Sequence, residues 1–453
     1  MSIIKIENPT NAFVVISSDE GKILIDPWLE DGIYEGTWHN FPRVSDLYQE
    51  KILDSVTSCL ITHLHKDHFN IQTLNKLPKN TKFIFPETFG WRVIESNLHS
   101  MGFYNTHLLN LSDDIIVSAG FKIKAIPPLN TDGLESVIEN PLAIDGGFVL
   151  EAIKSNLKLI FLADNNLYNN KIVEKNIDLL KNPDLIAFAY SGFASDYPFN
   201  YDFDFEEKVK ICSENEEVRF AKQVNNLLKI NPKFILPYSS EFVPVDGNFE
   251  SWSSVFRKVY TSDKNLVAKR YGDALGCNYG TLYPREFLLF NKKVMMPIKE
   301  TYNRNHLLDE MFSYQKNFQN IKNNNLVSNE NIVDQDINFE NMKNIFKEAS
   351  ENCFKAIERN NLSPHSSINL FINNQFSFSL DLKSMKINST EDTSEPFLNI
   401  FTDLNMMFKL LTGKLHWDDG ALSMKINWAR RPNIFDFDTY NALTYLRVPF
   451  SKT

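Results

Sequence analysis

Cysteine is scarce in this 453-residue chain: Cys59, Cys212, Cys277 and Cys353 lie far apart, and no CxxC pair occurs. That spacing excludes a disulfide-stapled secreted scaffold and predicts buried free thiols in a reducing cytoplasm. Positive charge is also short. The 47 Lys and Arg residues against 57 Asp and Glu leave a net charge of −10. Nucleic acid and anionic membrane surfaces are poor partners for such a chain, because both require a cationic face. No apolar run reaches the roughly 18 residues of a membrane span. The opening MSIIKIENPT has neither the basic start nor the long apolar stretch of a signal peptide.

What remains describes a soluble globular protein. Apolar residues make up 43% and charged residues 23% of the chain, enough to build a buried core with a solvated surface. The length is about three typical domains, so two or three units are expected. Phe13–Ile16 and Lys22–Ile25 flank Asp19-Glu20-Gly21 and read as a β-hairpin. The short apolar runs Cys59–Thr62, Lys82–Phe85, Gly147–Ala152, Lys158–Ala163 and Phe234–Pro237 read as buried strands. Ile71–Leu77 reads as a short helix, and a longer one through Val218, Val224 and Leu228 stops at Asn231-Pro232. Paired strands early, then strands alternating with helices, predict an α/β layered sandwich. Ten asparagines between Lys316 and Asn344 suggest a solvated linker or irregular excursion. Beyond it, Ile368–Ile372 and Phe376–Leu380 alternate about Asn373-Asn374 as a second hairpin, and Leu422–Trp428 repeats the period of two. Phe397–Leu411 reads as an amphipathic covering helix. The expected division is 1–250, 251–340 as extension and Asn-rich linker, and 341–453 as a small α+β domain.

One segment concentrates chemistry. Thr62-His63-Leu64-His65-Lys66-Asp67-His68-Phe69-Asn70 follows a strand and precedes a helix, and holds three of the nine histidines. His63 and His65, two apart, can face one side of an extended strand end. Asp67 and His68 in the following turn can aim back at the same space. Imidazole and carboxylate donors without thiolate suit zinc, iron or manganese, as one ion or two. A solvated histidine-rich loop is the bland alternative.

This spacing resembles the HxHxDH signature of the metallo-β-lactamase fold, an αββα sandwich with metal ligands on loops at one edge. The resemblance implies a further, bridging aspartate after a later strand. Leu159–Ala163 leads to Asp164, which fills that description, although a turn or capping role would also suit Asp164. The metal ligands so implied are His63, His65, Asp67, His68 and Asp164, with Asp67 and Asp164 as catalytic carboxylates. Asp26-Pro27-Trp28-Leu29, Gly36-Thr37-Trp38, Tyr190–Ala194, Pro232–Ser239, Leu415–Gly420 and Arg430-Arg431-Pro432 are similar to the CMP-N-acetylneuraminate hydroxylase-like branch. The last unit is similar to the small sterol-carrier-like module of some of these proteins.

Two departures matter. The four scattered cysteines leave no pair for a Rieske cluster, so an oxygenase of this type would draw electrons from a separate donor protein or from the substrate. The two further histidines of the zinc hydrolases are also missing. Asp132, Glu135, Glu139 and Asp145 occupy the region of the earlier one, and Glu241 is a candidate for the later. A carboxylate in place of an imidazole favours iron or manganese over zinc. The resemblance therefore implies an iron-dependent oxygenase acting on a small polar substrate. The alternative is a zinc- or manganese-dependent hydrolase of a phosphodiester, lactone or amide, whose metal lowers the pKa of bound water to about 7. A binding protein that has lost turnover is disfavoured by the intact HxHxDH segment. Asp26 either orients a ligand histidine or caps its strand. His39 reads as a surface residue before a proton donor, Arg430-Arg431 as a solvated pair before an anion site, and His416 as part of a turn.

Overall fold

The computed structural model describes residues 3–111, 114–129, 144–191, 193–239, 241–259, 264–291, 294–296, 307–329 and 339–449. Two large sheets carry the first part of the chain. One is eight-stranded, in the order Val294–Met296, Leu288–Asn291, Ile3–Thr10, Phe13–Ser18, Gly21–Ile25, Ser58–Leu60, Lys82–Pro86 and Thr106–Leu109. The other is seven-stranded, running Asn278–Tyr279, Phe234–Tyr238, Leu185–Ala189, Lys158–Phe161, Gly147–Ala152, Phe121–Ile126 and Ile116–Ser118.

Both faces of each sheet are apolar, and the period of two separates them. Ile4, Ile6, Val14, Ile16, Ile23 and Ile25 of the first sheet meet Ile123, Phe148, Leu150, Leu159 and Phe161 of the second in one core. The intervening residues Phe13, Val15, Leu24, Cys59 and Phe83 turn outward onto Tyr48, Ile52, Leu74, Ile94 and Leu98 of the helices. Val149, Ile160, Ile186 and Ile235 of the second sheet do the same against Val173, Leu227, Ile230 and Tyr271. The result is the αββα sandwich that the sequence resemblance implies. Each fully buried Ile, Leu or Phe contributes about 1.5–3 kcal/mol, so these three layers hold the strand ends rigidly in place.

The asparagine-rich stretch is not a linker throughout. Leu307–Asn329 and Phe339–Arg359 are helices, and 330–338 lie outside the described residues. Met311 and Phe312 are buried against Trp38, Phe242 and Trp252, and Gln315 donates to the Pro244 carbonyl. This seat outweighs the few tenths of a kcal/mol that each helical asparagine costs.

A third, five-stranded sheet orders Lys386–Asn388, Gln375–Asp381, Ser367–Ile372, Phe397–Thr402 and Asn427–Arg431. Phe346, Cys353, Leu370, Leu380, Ile400, Leu410 and Trp417 share its core. The helix expected over Phe397–Leu411 is split here. Phe397–Thr402 pairs parallel with Ser367–Ile372, burying Leu398 and Ile400, and Asp403 then caps Leu404–Leu411 by accepting from Met406 N at 2.7 Å. A run rich in Phe and Ile favours strand, and the aspartate marks the true helix start. The alternation expected over Leu422–Trp428 is likewise broken: Leu422 closes the helix Trp417–Leu422, Met424 is left-handed at φ 56°, and the strand begins at Asn427. Among the described residues no helix is long and apolar enough to cross a membrane.

Candidate metal centre

The strands Gly21–Ile25, Ser58–Leu60 and Lys82–Pro86 are parallel, as are Lys158–Phe161, Leu185–Ala189 and Phe234–Tyr238. Their C-terminal ends meet at one edge of the sandwich. Three residues just beyond those ends, Asp26 (φ 48°), Ala163 (φ 50°) and Ser239 (φ 60°), are left-handed without being glycine. Such conformations cost of order 1 kcal/mol or more and cluster where a chain must turn a side chain into a site. Here they aim Asp26, Asp164 and Ser239 at the loop that follows Ser58–Leu60, where the histidines lie.

Two donor groups converge there. His63, His65 and Asp145 form one and His63, His68 and Asp164 the other, with the donor atoms of each group within 4.8 Å of one another. His63 Nε2 is 3.0 Å from His65 Nδ1, 3.8 Å from Asp145 Oδ1 and 3.9 Å from Asp164 Oδ2. His68 Nε2 is 3.3 Å from Asp164 Oδ2 and 3.4 Å from Asp67 Oδ2. Glycine makes the approach of Asp145 possible. A Cβ on Gly146 would stand 2.6 Å from Pro86 Cγ and 3.1 Å from the Thr62 carbonyl oxygen, beside His63.

Four of the ligand candidates are held from behind. His68 Nδ1 lies 2.8 Å from Asp26 Oδ2, and Asp26 also accepts from Thr62 N at 2.8 Å and Thr62 Oγ1 at 2.6 Å. Tyr34 donates to Asp67 Oδ1 at 2.8 Å and Asn11 Nδ2 to Asp67 Oδ2 at 3.3 Å. Ser239 donates to Asp164 Oδ1 at 2.9 Å. His65 Nε2 is 3.0 Å from Asp418 Oδ2, and the adjacent Lys66 pairs with Asp419 at 3.1 Å.

Electrostatics follow from burial plus these partners. Burial and the neighbouring imidazoles His68 and His65 keep His63 neutral, well below the usual histidine range. Burial also opposes a charge on His68, but Asp164, Asp67 and Asp26 outweigh it and raise it well above that range. In His65 burial is overcome by Asp418, Asp145 and Asp67, which hold it at about 9. Burial pushes Asp67 up, yet His68, His65 and the Tyr34 hydroxyl bring it down to about 2. Buried Tyr34 stays a donor, since burial and Asp67 raise its pKa far out of reach.

The structure thus brings His63, His65, Asp67, His68 and Asp164 together, with Asp145 as the carboxylate beside His63. Asp132, Glu135 and Glu139 lie outside the described residues. Glu241 is turned elsewhere: its Oε1 pairs with Lys264 at 2.8 Å and accepts from Tyr190 at 3.3 Å. His39 is not a surface residue but is 6% exposed, with Nδ1 2.8 Å from the Tyr314 hydroxyl. Arg430 is not solvated either; it is buried, 4.6 and 5.0 Å from the ring centres of Tyr197 and Tyr201. His416 caps the helix Trp417–Leu422. Tyr34, Asn11 and Asp418 escape a reading of the sequence. The one local signal is the Gly32–Gly36 turn, where Tyr34 itself is left-handed at φ 50°, an outlier for a bulky residue.

The donor set fits a metal. His68 Nε2 is buried with no hydrogen-bond partner, although two carboxylate oxygens face it. A buried imidazole nitrogen in that state is costly unless something satisfies it, and a cation shared with those carboxylates would.

No protein-family model matches the chain. Over 121 residues, 24% of the chain, it is 32% identical to the UPF0173 protein YddR of Bacillus subtilis (strain 168), a match spanning 44% of that protein. The chain therefore spans less than half the length of this curated relative. Among solved structures it is similar to Igni18, a metallo hydrolase from the hyperthermophilic archaeon Ignicoccus hospitalis KIN4/I, at 15% identity and a TM-score of 0.41, covering 64% of this chain and 99% of that one. CmlA, a diiron β-hydroxylase from Streptomyces venezuelae, is similar at 16% identity and a TM-score of 0.43, covering 64% and 54%. The chain is similar, then, to metallo-hydrolases and metallo-β-lactamase superfamily proteins, a diiron hydroxylase among them.

Proposed function

We propose that this chain is a cytoplasmic iron-dependent oxygenase that hydroxylates a small polar substrate, using electrons from a separate donor protein. The observation that carries the reading is the composition of the first donor group. His63, His65 and Asp145 are two imidazoles and one carboxylate, the set that characterises non-haem iron oxygenases. His63, His65 and Asp145 would hold one ion, and Asp67, His68 and Asp164 a second. Iron bound there would supply dioxygen activation. The sequence resemblance to the CMP-N-acetylneuraminate hydroxylase-like branch supports a nucleotide-sugar-like substrate.

The chain's own residues prepare the site. Asp26 keeps the His68 ring in one orientation and leaves Nε2 facing Asp164. Tyr34 and Asn11 occupy both oxygens of Asp67, so its carboxylate cannot swing away. Ser239 does the same for one oxygen of Asp164. His63 and His68 are fully buried, whereas the side chains of His65, Asp145 and Asp164 are 22, 20 and 33% exposed. Substrate therefore approaches from the side of those three. Asp67, which stays ionised, and Asp164 are the carboxylates we assign to catalysis.

A zinc- or manganese-dependent hydrolase is the second reading, supported by the three clustered imidazoles, which also suit zinc. Metal analysis of protein purified without added metal separates the two. Iron at one or two atoms per chain, with an iron–carboxylate absorption, is expected. Zinc alone, with turnover of a phosphodiester or ester, would sink the oxygenase reading.

A further inference from the structure

The geometry assigns to Asp418, on the C-terminal unit, the role of a positioning residue that holds His65 with Nδ1 turned toward the metal. This rests on the metal-centre reading above and extends it, because it makes a second unit of the chain part of that centre.

The two nitrogens of His65 face different neighbours. Nδ1 is 3.0 Å from His63 Nε2, inside the donor group, and Nε2 is 3.0 Å from Asp418 Oδ2, across 353 residues of sequence. An imidazole that ligates through Nδ1 must carry its proton on Nε2. A carboxylate accepting that proton's hydrogen bond fixes both the tautomer and the ring orientation. Asp26 already fills this position for His68. Asp418 completes the pattern for His65 from outside the sandwich.

The contact is built from both sides. Asp418 sits in the first turn of Trp417–Leu422, where Trp417 is buried and its indole N–H donates to the Leu446 carbonyl at 3.0 Å. On the sandwich side, Trp38 Nε1 donates to the Leu422 carbonyl at 2.9 Å and Thr37 Oγ1 to the Ser423 carbonyl at 2.6 Å. Lys66–Asp419 closes the same interface beside His65. Helix and histidine loop are therefore clamped in register. The side chain of Asp418 is 53% exposed and stands on the open side of the centre, so the C-terminal unit borders the approach of substrate.

The test is a cobalt(II) titration of the full-length chain as wild type, Asp418→Ala, Asp418→Asn and Asp419→Asn, read by bound metal per chain and by the visible ligand-field spectrum. Asp418→Ala is expected to weaken one cobalt site about 10–100-fold and alter its spectrum. Asp418→Asn keeps an acceptor oxygen and should fall between it and wild type. It also carries the test if circular dichroism shows that the alanine variant is unfolded. Asp419→Asn loses the Lys66 pair from the same helical turn but nothing on His65, and should titrate as wild type. Wild-type affinity and spectrum in Asp418→Ala overturn the inference, as does an equal loss in Asp419→Asn, which would mean that only helix docking matters. A wild-type chain that takes up no cobalt overturns the metal reading itself.

Discussion

His68 Nδ1 and Asp26 Oδ2 are 2.8 Å apart with both side chains fully buried. Burial alone pushes the Asp26 carboxyl up, and the charge and hydrogen bond of His68 with the two bonds from Thr62 pull it back only in part. The same aspartate thus terminates its strand and aims a ligand. Asp26→Ala leaves His68 Nδ1 without an acceptor and is expected to weaken metal binding about 10–100-fold. Asp26→Asn retains an acceptor and should lose less. Metal content after dialysis against a graded chelator checks this, and equal retention in all three proteins would remove Asp26 from the site.

Gly146 is the second point of leverage. An alanine there would press on Pro86 and on the Thr62 carbonyl, neither of them the free end of a flexible side chain. Gly146→Ala is expected to cost about 1–3 kcal/mol of stability. It should also drive Asp145 away from His63, lowering metal at that group first. Denaturant unfolding and metal stoichiometry read the two effects separately; a variant of wild-type stability and metal content would show that the loop absorbs the extra methyl.

How much of this was legible depends on sequence distance. His63, His65, Asp67 and His68 lie on one short loop, so their spacing displays them. Asp164 is one step harder, and only the resemblance, which implies an aspartate after a later strand, singled it out. Asp145 was visible only as one of four acidic residues, since its place depends on Gly146 allowing the backbone to pass Thr62. Asp418, Tyr34 and Asn11 reach the site from separate elements, and no local pattern encodes such contacts. The misread helix at Phe397–Leu411 has a related cause, because a short apolar run fits both periods until its pairing with Ser367–Ile372 decides.

Asp196 provides a pH signature outside the ligand set. Burial raises its carboxyl to about 6, with Asp418 adding to the rise and Arg430 opposing it. A folded-state pKa above the unfolded value means that the folded chain binds the proton more tightly. Stability from this group is present below about pH 4 and is lost as pH rises to about 6. Asp196→Asn removes that loss and should gain on the order of 2 kcal/mol relative to wild type at pH 7.5, but little at pH 4. Urea unfolding at the two pH values measures it. A gain that is equal at both would mean that the charge of Asp196 is not responsible.

Removing the metal has its own thermodynamic consequences. Without an ion, His65 at about 9 and His68, held well above the usual histidine range, keep protons among Asp67, Asp145, Asp164 and Asp418. A ligand nitrogen must give up its proton before it can coordinate, so uptake near pH 7 displaces protons into the buffer. The apparent affinity should therefore rise with pH through the His65 titration near 9. Calorimetric titrations in two buffers of different ionisation heat should give different apparent enthalpies, and buffer-independent heats would show that the imidazoles are already neutral. Binding to the folded chain alone also stabilises it, by about 2.7 kcal/mol at a metal concentration of 100 Kd. Chelation should lower Tm accordingly. His65→Ala, which deletes one donor and its proton together, should reduce both the proton release and the chelator-sensitive part of Tm.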